Sequence, residues 1–179
     1  GEDAGSEGLK NVSPYGLSKS LTAQVFGYYC ERAGITFGKF VIPNPFGPYE
    51  EPRFTAYLLK SWLAGKAAQC SSPAYVRDNI PVSLLSRVYA AFVGEVRGGR
   101  GFLKINPSGY VESQGAFTLR VAREMRARLG LPCEVELLKQ KEFPEPRIRI
   151  NTDVPDWEAL GWDEGTAWDG MASYYQGLT

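Results

Sequence analysis

Ser13-Pro14-Tyr15-Gly16-Leu17-Ser18-Lys19 heads a run in which Tyr15, Leu17, Leu21, Val25, Phe26 and Tyr29 recur at helical spacing. With Ser13 as the cap and Gly34 as the stop, the pattern predicts one long helix over 14–33. Tyr15 and Lys19 are four residues apart and so share a face of it. An ammonium beside a phenol favours the phenolate and brings a strong base toward neutral pH. Such a pair can take a proton from a hydroxyl. The same spacing also describes an ordinary half-exposed helix face.

Outward from that helix, 35–42 carries β-branched and aromatic residues between Gly34 and Pro43 and reads as a buried strand. It opens into a loop over 43–52. In open α/β sheets ligands bind beyond the carboxyl ends of strands, so this loop is where a site should lie. A helix is predicted over 54–64, an extended piece over 74–80, a helix over 82–93, a glycine-rich turn over 94–101 and a strand over 102–105. A second long amphipathic helix covers 113–129. Strand-like pieces at 134–138 and 147–150 and short helices at 157–160 and 165–176 complete the chain. Strands alternating with helices point to an α/β architecture rather than a bundle or sandwich.

Composition narrows the chemistry. The 179 residues are 44% hydrophobic and 22% charged, enough for a globular domain with a core. Twenty basic residues balance twenty acidic ones, which gives no overall field to draw in nucleic acid or an anionic membrane. There is no His, so Ser-His-Asp and Cys-His mechanisms and most zinc sites are excluded, and no metal is expected. Proton chemistry falls to Tyr, Lys or a carboxylate. Cys30, Cys70 and Cys133 are odd in number and far apart, which argues for reduced thiols and a cytoplasmic setting. No apolar run approaches the roughly 20 residues that cross a bilayer.

Four segments in order carry a family resemblance. The Tyr15-x-x-x-Lys19 helix is followed by Pro43-Asn44-Pro45-Phe46-Gly47-Pro48, then Val76-Arg77-Asp78-Asn79-Ile80-Pro81-Val82, then Leu160-Gly161-Trp162 before a closing helix. Together they resemble the extended short-chain dehydrogenase/reductase family, the NAD-dependent nucleotide-sugar epimerases, dehydratases and ketoreductases. The resemblance implies the C-terminal portion of a Rossmann-type parallel-sheet domain plus a small α/β substrate lobe. Residues 1–110 would hold the sheet part with interleaved lobe segments, and 111–179 mainly the lobe. No Gly-x-x-Gly-x-x-Gly or Gly-x-Gly-x-x-Gly follows an N-terminal strand, so the turn that cradles a dinucleotide is not in this sequence. The chain is expected to be the later part of a longer enzyme, inactive alone, with the N-terminal Rossmann half as its partner and a homodimer as the full-length state.

The resemblance also implies roles. Tyr15 is the acid/base toward a sugar hydroxyl or carbonyl, and Lys19 binds the nicotinamide ribose of NAD or NADP and primes Tyr15. Pro43 contacts the nicotinamide, and Asn44 contacts the substrate, a nucleotide-diphosphate sugar. A turn whose Asn44 caps local backbone is the alternative. Arg77 matches a diphosphate ligand, for which a guanidinium fork is well shaped; an ion pair with Asp78 or another carboxylate is its alternative. Arg147, near where the family supplies another phosphate ligand, is a further candidate; alternation puts it on one side of a strand with Arg149, and a solvent-facing side is the alternative. Trp157, Trp162 and Trp168 read as core anchors rather than stacking platforms. Pro45, Phe46 and Pro81 depart from the family pattern and leave open a rival class, a nucleotide- or protein-binding regulatory module without catalysis.

Overall fold

The computed structural model describes residues 13–178. The first helix, α1 (Pro14–Ala33), begins and ends where its caps predict. Ser13 Oγ accepts from Gly16 N at 3.1 Å, and Gly34 closes the helix in the left-handed region at φ 65°. Its large apolar residues, however, face out. Gly16 and Ser20 are buried on the inward side, whereas Tyr15, Leu17, Leu21, Val25, Phe26, Tyr28 and Tyr29 are exposed. Only small residues allow close approach to the sheet, as at Gly27, where a Cβ would sit 3.7 Å from the Phe37 ring.

That sheet is two parallel strands, β1 (Phe37–Phe40) and β5 (Phe102–Ile105), with Phe37 opposite Phe102. The strand expected over 35–42 is thus shorter at both ends. The helix α3 (Val82–Gly98) packs on β1 and continues through residues expected to form a turn. The reason is packing: Val96 and Phe92 sit so close to Gly38 that a Cβ there would meet Val96 Cγ2 at 2.6 Å. The cost of Gly94 inside the helix is offset by that contact. The turn shrinks to 99–101, with Gly101 at φ 75°.

A second sheet centres on β4 (Val76–Pro81). On one side β6 (Tyr110–Ser113) pairs antiparallel. On the other, β2 (Asn44–Phe46) and β8 (Ile148–Arg149) pair parallel, placing Asn44 opposite Asn79 and Arg149 opposite Arg77. Neither β2 nor β6 follows from the sequence pattern; 43–52 reads as loop because of its prolines. Pro45 is accommodated because β2 lies at the sheet edge, where a missing N–H breaks no interior ladder. Asp78 points to the opposite face from Arg77 and pins three segments, accepting from Ser108 Oγ (2.8 Å), Gly109 N (2.8 Å) and Asn151 N (3.1 Å).

The helices α2 (Phe54–Leu63), α4 (Gln114–Leu129) and α5 (Glu164–Gln176) enclose the larger core with Leu58, Leu59, Phe117, Val121, Met125 and Met171. A short parallel pair, β3 (Ala68–Cys70) and β7 (Val135–Leu137), closes its side; β3 has no period-two signal long enough to predict it. Trp168 is buried in this core and Trp162 in a second one under α3, with Trp157 packed against it, as anchors should be. Residues 157–161 form a turn, not the expected helix, because Gly161 reverses the chain at φ 58°. No helix among the described residues is long and apolar enough to cross a membrane.

Candidate functional site

The period of two along β4 puts Arg77 and Asn79 on one face, and there a cavity of about 480 Å³ opens. Asn44, from the neighbouring β2, and Arg149, from β8, join them in its lining, with Tyr75, Glu50 and Glu145 around the wall. Phe46 and Phe117 bring the apolar core to its floor. With Arg53 and Gln114 also in the lining, the cavity combines three guanidinium groups, three carboxamides, the carboxylates of Glu50 and Glu145 and aromatic faces, a donor-rich set suited to an anionic ligand with a flat part.

Arg77 is buried, and its guanidinium is largely engaged. Nη1 donates to the carbonyls of Val76 (2.9 Å), Pro146 (3.2 Å) and Arg147 (3.1 Å), Nη2 to Glu145 Oε2 (3.2 Å), and the group lies 4.2 Å from the Tyr75 ring centroid. Burial lowers its pKa and Arg149 adds to this, while Glu145 acts the other way. The ion pair is with Glu145, not with Asp78, which faces away. Glu145 also approaches Arg149 Nη1 at 3.6 Å, so one carboxylate spans both arginines.

Arg147 and Arg149 do not share an environment. Only Ile148 and Arg149 are in strand, so alternation stops short of Arg147, whose exposed guanidinium stacks on Phe143 at 4.3 Å. Arg149 is the one at the cavity. Pro43 is buried just before β2 and does not line the cavity, whereas Asn44 does. Tyr15 and Lys19 lie on one side of α1, with Nζ 5.2 Å from the phenol ring centroid, and Tyr15 is 67% exposed. They line neither this cavity nor the larger groove of about 1480 Å³ between α1 and the β1–β5 sheet.

Glu50 is a group that sequence reasoning missed. It accepts from Thr55 Oγ1 at 2.7 Å and from Tyr175 Oη at 2.9 Å, and burial raises its pKa above the ordinary 4.5 despite those bonds. Tyr175 lies 125 residues away, so no local signal could join them. Asn79 and Arg149 were within reach, since each is a strand step of two from a residue already singled out.

No protein-family model and no curated protein matches the sequence. Solved structures match the fold. UDP-N-acetylglucosamine 4-epimerase from Methanobrevibacter ruminantium, in complex with UDP-N-acetylmuramic acid, superposes with a TM-score of 0.72 over 98% of this chain. The chain shares its fold with nucleotide-sugar epimerases and dehydratases. That epimerase is 15% identical, and 57% of its length is covered. UDP-glucose 4-epimerase from Thermus thermophilus, with NAD, gives 0.66 at 16% identity, covering 95% of this chain and 56% of that enzyme. dTDP-glucose 4,6-dehydratase from Bacillus anthracis, also with NAD, gives 0.66 at 18%, covering 92% and 52%. The chain thus spans little more than half the length of these enzymes.

Proposed function

We propose that this chain is the later part of an NAD(P)-dependent enzyme that epimerises, dehydrates or reduces a nucleotide-diphosphate sugar. The observation that carries it is the β4 cavity: Asn44 and Arg77, picked out by motif alone, line one cavity in a fold shared with such enzymes. Tyr15 takes and returns the proton of the reacting hydroxyl, and Lys19 holds the phenolate and binds the cofactor ribose. Both are open to solvent at the start of α1, which fits groups that meet ligands supplied from outside this chain. The nicotinamide, when bound, supplies the hydride acceptor and donor. Base and nicotinamide must flank the same C–OH group, because its hydrogen leaves carbon only as its proton is taken. Pro43 supports the nicotinamide, Asn44 the sugar, and Arg77 the diphosphate. The phosphate role expected of Arg147 passes to Arg149, whose side chain is at the cavity.

Two surfaces go to partners. Parallel strands are normally covered on both faces and flanked by others, yet among the described residues β1 pairs only with β5. We assign the free edge of β1 and the adjoining groove to the N-terminal dinucleotide-binding half, and the outward apolar face of α1 to a second copy. The division of the sheet part from the lobe at residue 110 belongs to the same proposal, with α2 and β3 interleaved into the lobe.

A rival role, nucleotide or protein binding without turnover, is favoured by the internal engagement of Arg77 and by Pro45 in β2. Calorimetry on this chain tests the part it holds: UDP binds, and NAD⁺ gives no signal because the Gly-rich turn is absent from the sequence. Micromolar NAD⁺ binding, or no UDP binding, contradicts the proposal.

A further inference from the structure

Asn79 is 5% exposed, lines the β4 cavity, and its Nδ2 is buried with no hydrogen-bond partner. Buried polar groups are nearly always satisfied, and an orphaned donor carries its full desolvation cost. The neighbours of Asn79 do not lack for pairing. Asp78 accepts three hydrogen bonds and Arg77 donates four. Among these neighbouring residues of β4, the unpaired donor is therefore the Asn79 amide, whose side chain lines the cavity. Asn79 lies one strand step from Arg77 on the same face and opposite Asn44 in register.

We propose that Asn79 is a ligand-selecting residue whose amide donates to a diphosphate oxygen of a nucleotide seated between Arg77 and Arg149. The inference rests on the nucleotide-sugar reading above and deepens it by naming a further donor in the site. The terminal torsion of Asn is broad and two-fold, so a turn of the carboxamide about χ2 brings Nδ2 toward the cavity without moving β4. An anionic acceptor is the fitting partner because the surrounding guanidinium groups favour negative charge and a charge-assisted bond is the stronger one. The free protein carries the cost of the orphaned donor, and the ligand removes it.

The inference predicts opposite signs for stability and binding. Asn79→Leu keeps the branching of the side chain and removes the orphan, so Tm of the free chain rises by about 3 °C. UDP affinity by calorimetry falls about 10- to 100-fold, a range that corresponds to one hydrogen bond to a charged group. Uridine affinity is unchanged. Asn79→Asp, which substitutes a carboxylate for the donor, weakens UDP binding further still. A structural role alone predicts the reverse for stability, a lower Tm with UDP affinity retained, and that result overturns the proposal, as does equal loss of UDP and uridine. If Asn79→Leu does not fold, Asn79→Ala serves for the same pair of titrations. Should the unaltered chain bind no UDP, the nucleotide-sugar reading itself falls; loss confined to the variants separates the two.

Discussion

Glu145 holds a carboxylate oxygen 3.2 Å from Arg77 Nη2 and 3.6 Å from Arg149 Nη1, the two groups to which the proposed function assigns the diphosphate. Its side chain is half exposed, so solvent screens the pair and its removal costs the fold little. Glu145→Gln is expected to tighten UDP binding about three-fold by calorimetry, since the ligand no longer displaces a charge. Weaker binding would show that the carboxylate orients the two guanidinium groups instead. Glu50 gives a pH signature. Its pKa is raised by burial, so the folded chain takes up a proton more readily than the unfolded one. The stability it contributes is complete below the ordinary 4.5 and is lost as pH rises through the raised value. Unfolding curves of the chain and of Glu50→Gln between pH 7 and pH 4 should therefore show the difference moving in favour of the unaltered chain on acidification. Movement the other way contradicts the assigned cause. Asn44 and Arg77 were singled out by short motifs, and both line the cavity; their ligand roles remain part of the proposal. Glu50 was not singled out, since its partner Tyr175 arrives only by tertiary packing, and Arg147 was preferred to Arg149 on motif position alone, because alternation, extended beyond a strand of two residues, put both on one side and could not choose between them.

Elements were legible where period and caps agree. Caps alone placed both ends of α1, and Ser113, which accepts from Ala116 N at 3.1 Å, starts α4 as a cap should. The short strands β2, β3 and β6 were not, because three or four residues carry too little periodicity and are fixed by their neighbours. Gly109 shows how tight that fixing is. A Cβ there would lie 2.4 Å from Asn79 O and 2.8 Å from Ile80 Cα, both backbone atoms of β4 that cannot step aside. Gly109→Ala is expected to destabilise the chain by about 2–3 kcal/mol in chemical denaturation. Gly94, in the interior of α3 with nothing within 4 Å of a built Cβ, is the control. Gly94→Ala should stabilise by about 0.5–1 kcal/mol. Equal effects at the two sites would refute the packing described here.

At the scale of the molecule, α1 is inverted relative to a helix of a self-contained domain, with small residues turned in and large apolar ones turned out. Sequence periodicity located the apolar stripe but carried no sign of which way it faces, since small inward residues and a partner-facing stripe leave the same period. That exposed stripe and the two-stranded parallel sheet beside it are the grounds for assigning these surfaces to partners in the proposed function. Tyr15 and Lys19 stand at the start of that helix and away from the β4 cavity lining. Their proposed chemistry therefore depends on a reaction centre completed by the dinucleotide-binding half. The direct measurement is the near-ultraviolet absorbance of reduced nicotinamide, followed after a nucleotide-sugar is added to the enzyme formed by this chain and that half. Epimerisation and dehydration begin by oxidising the sugar and raise this absorbance transiently, whereas reduction of a keto-sugar by added reduced cofactor lowers it; in each case the rate of change reads hydride transfer. The account predicts that Tyr15→Phe slows the hydride-transfer signal by about 10²- to 10⁴-fold. An unchanged rate in Tyr15→Phe would contradict it.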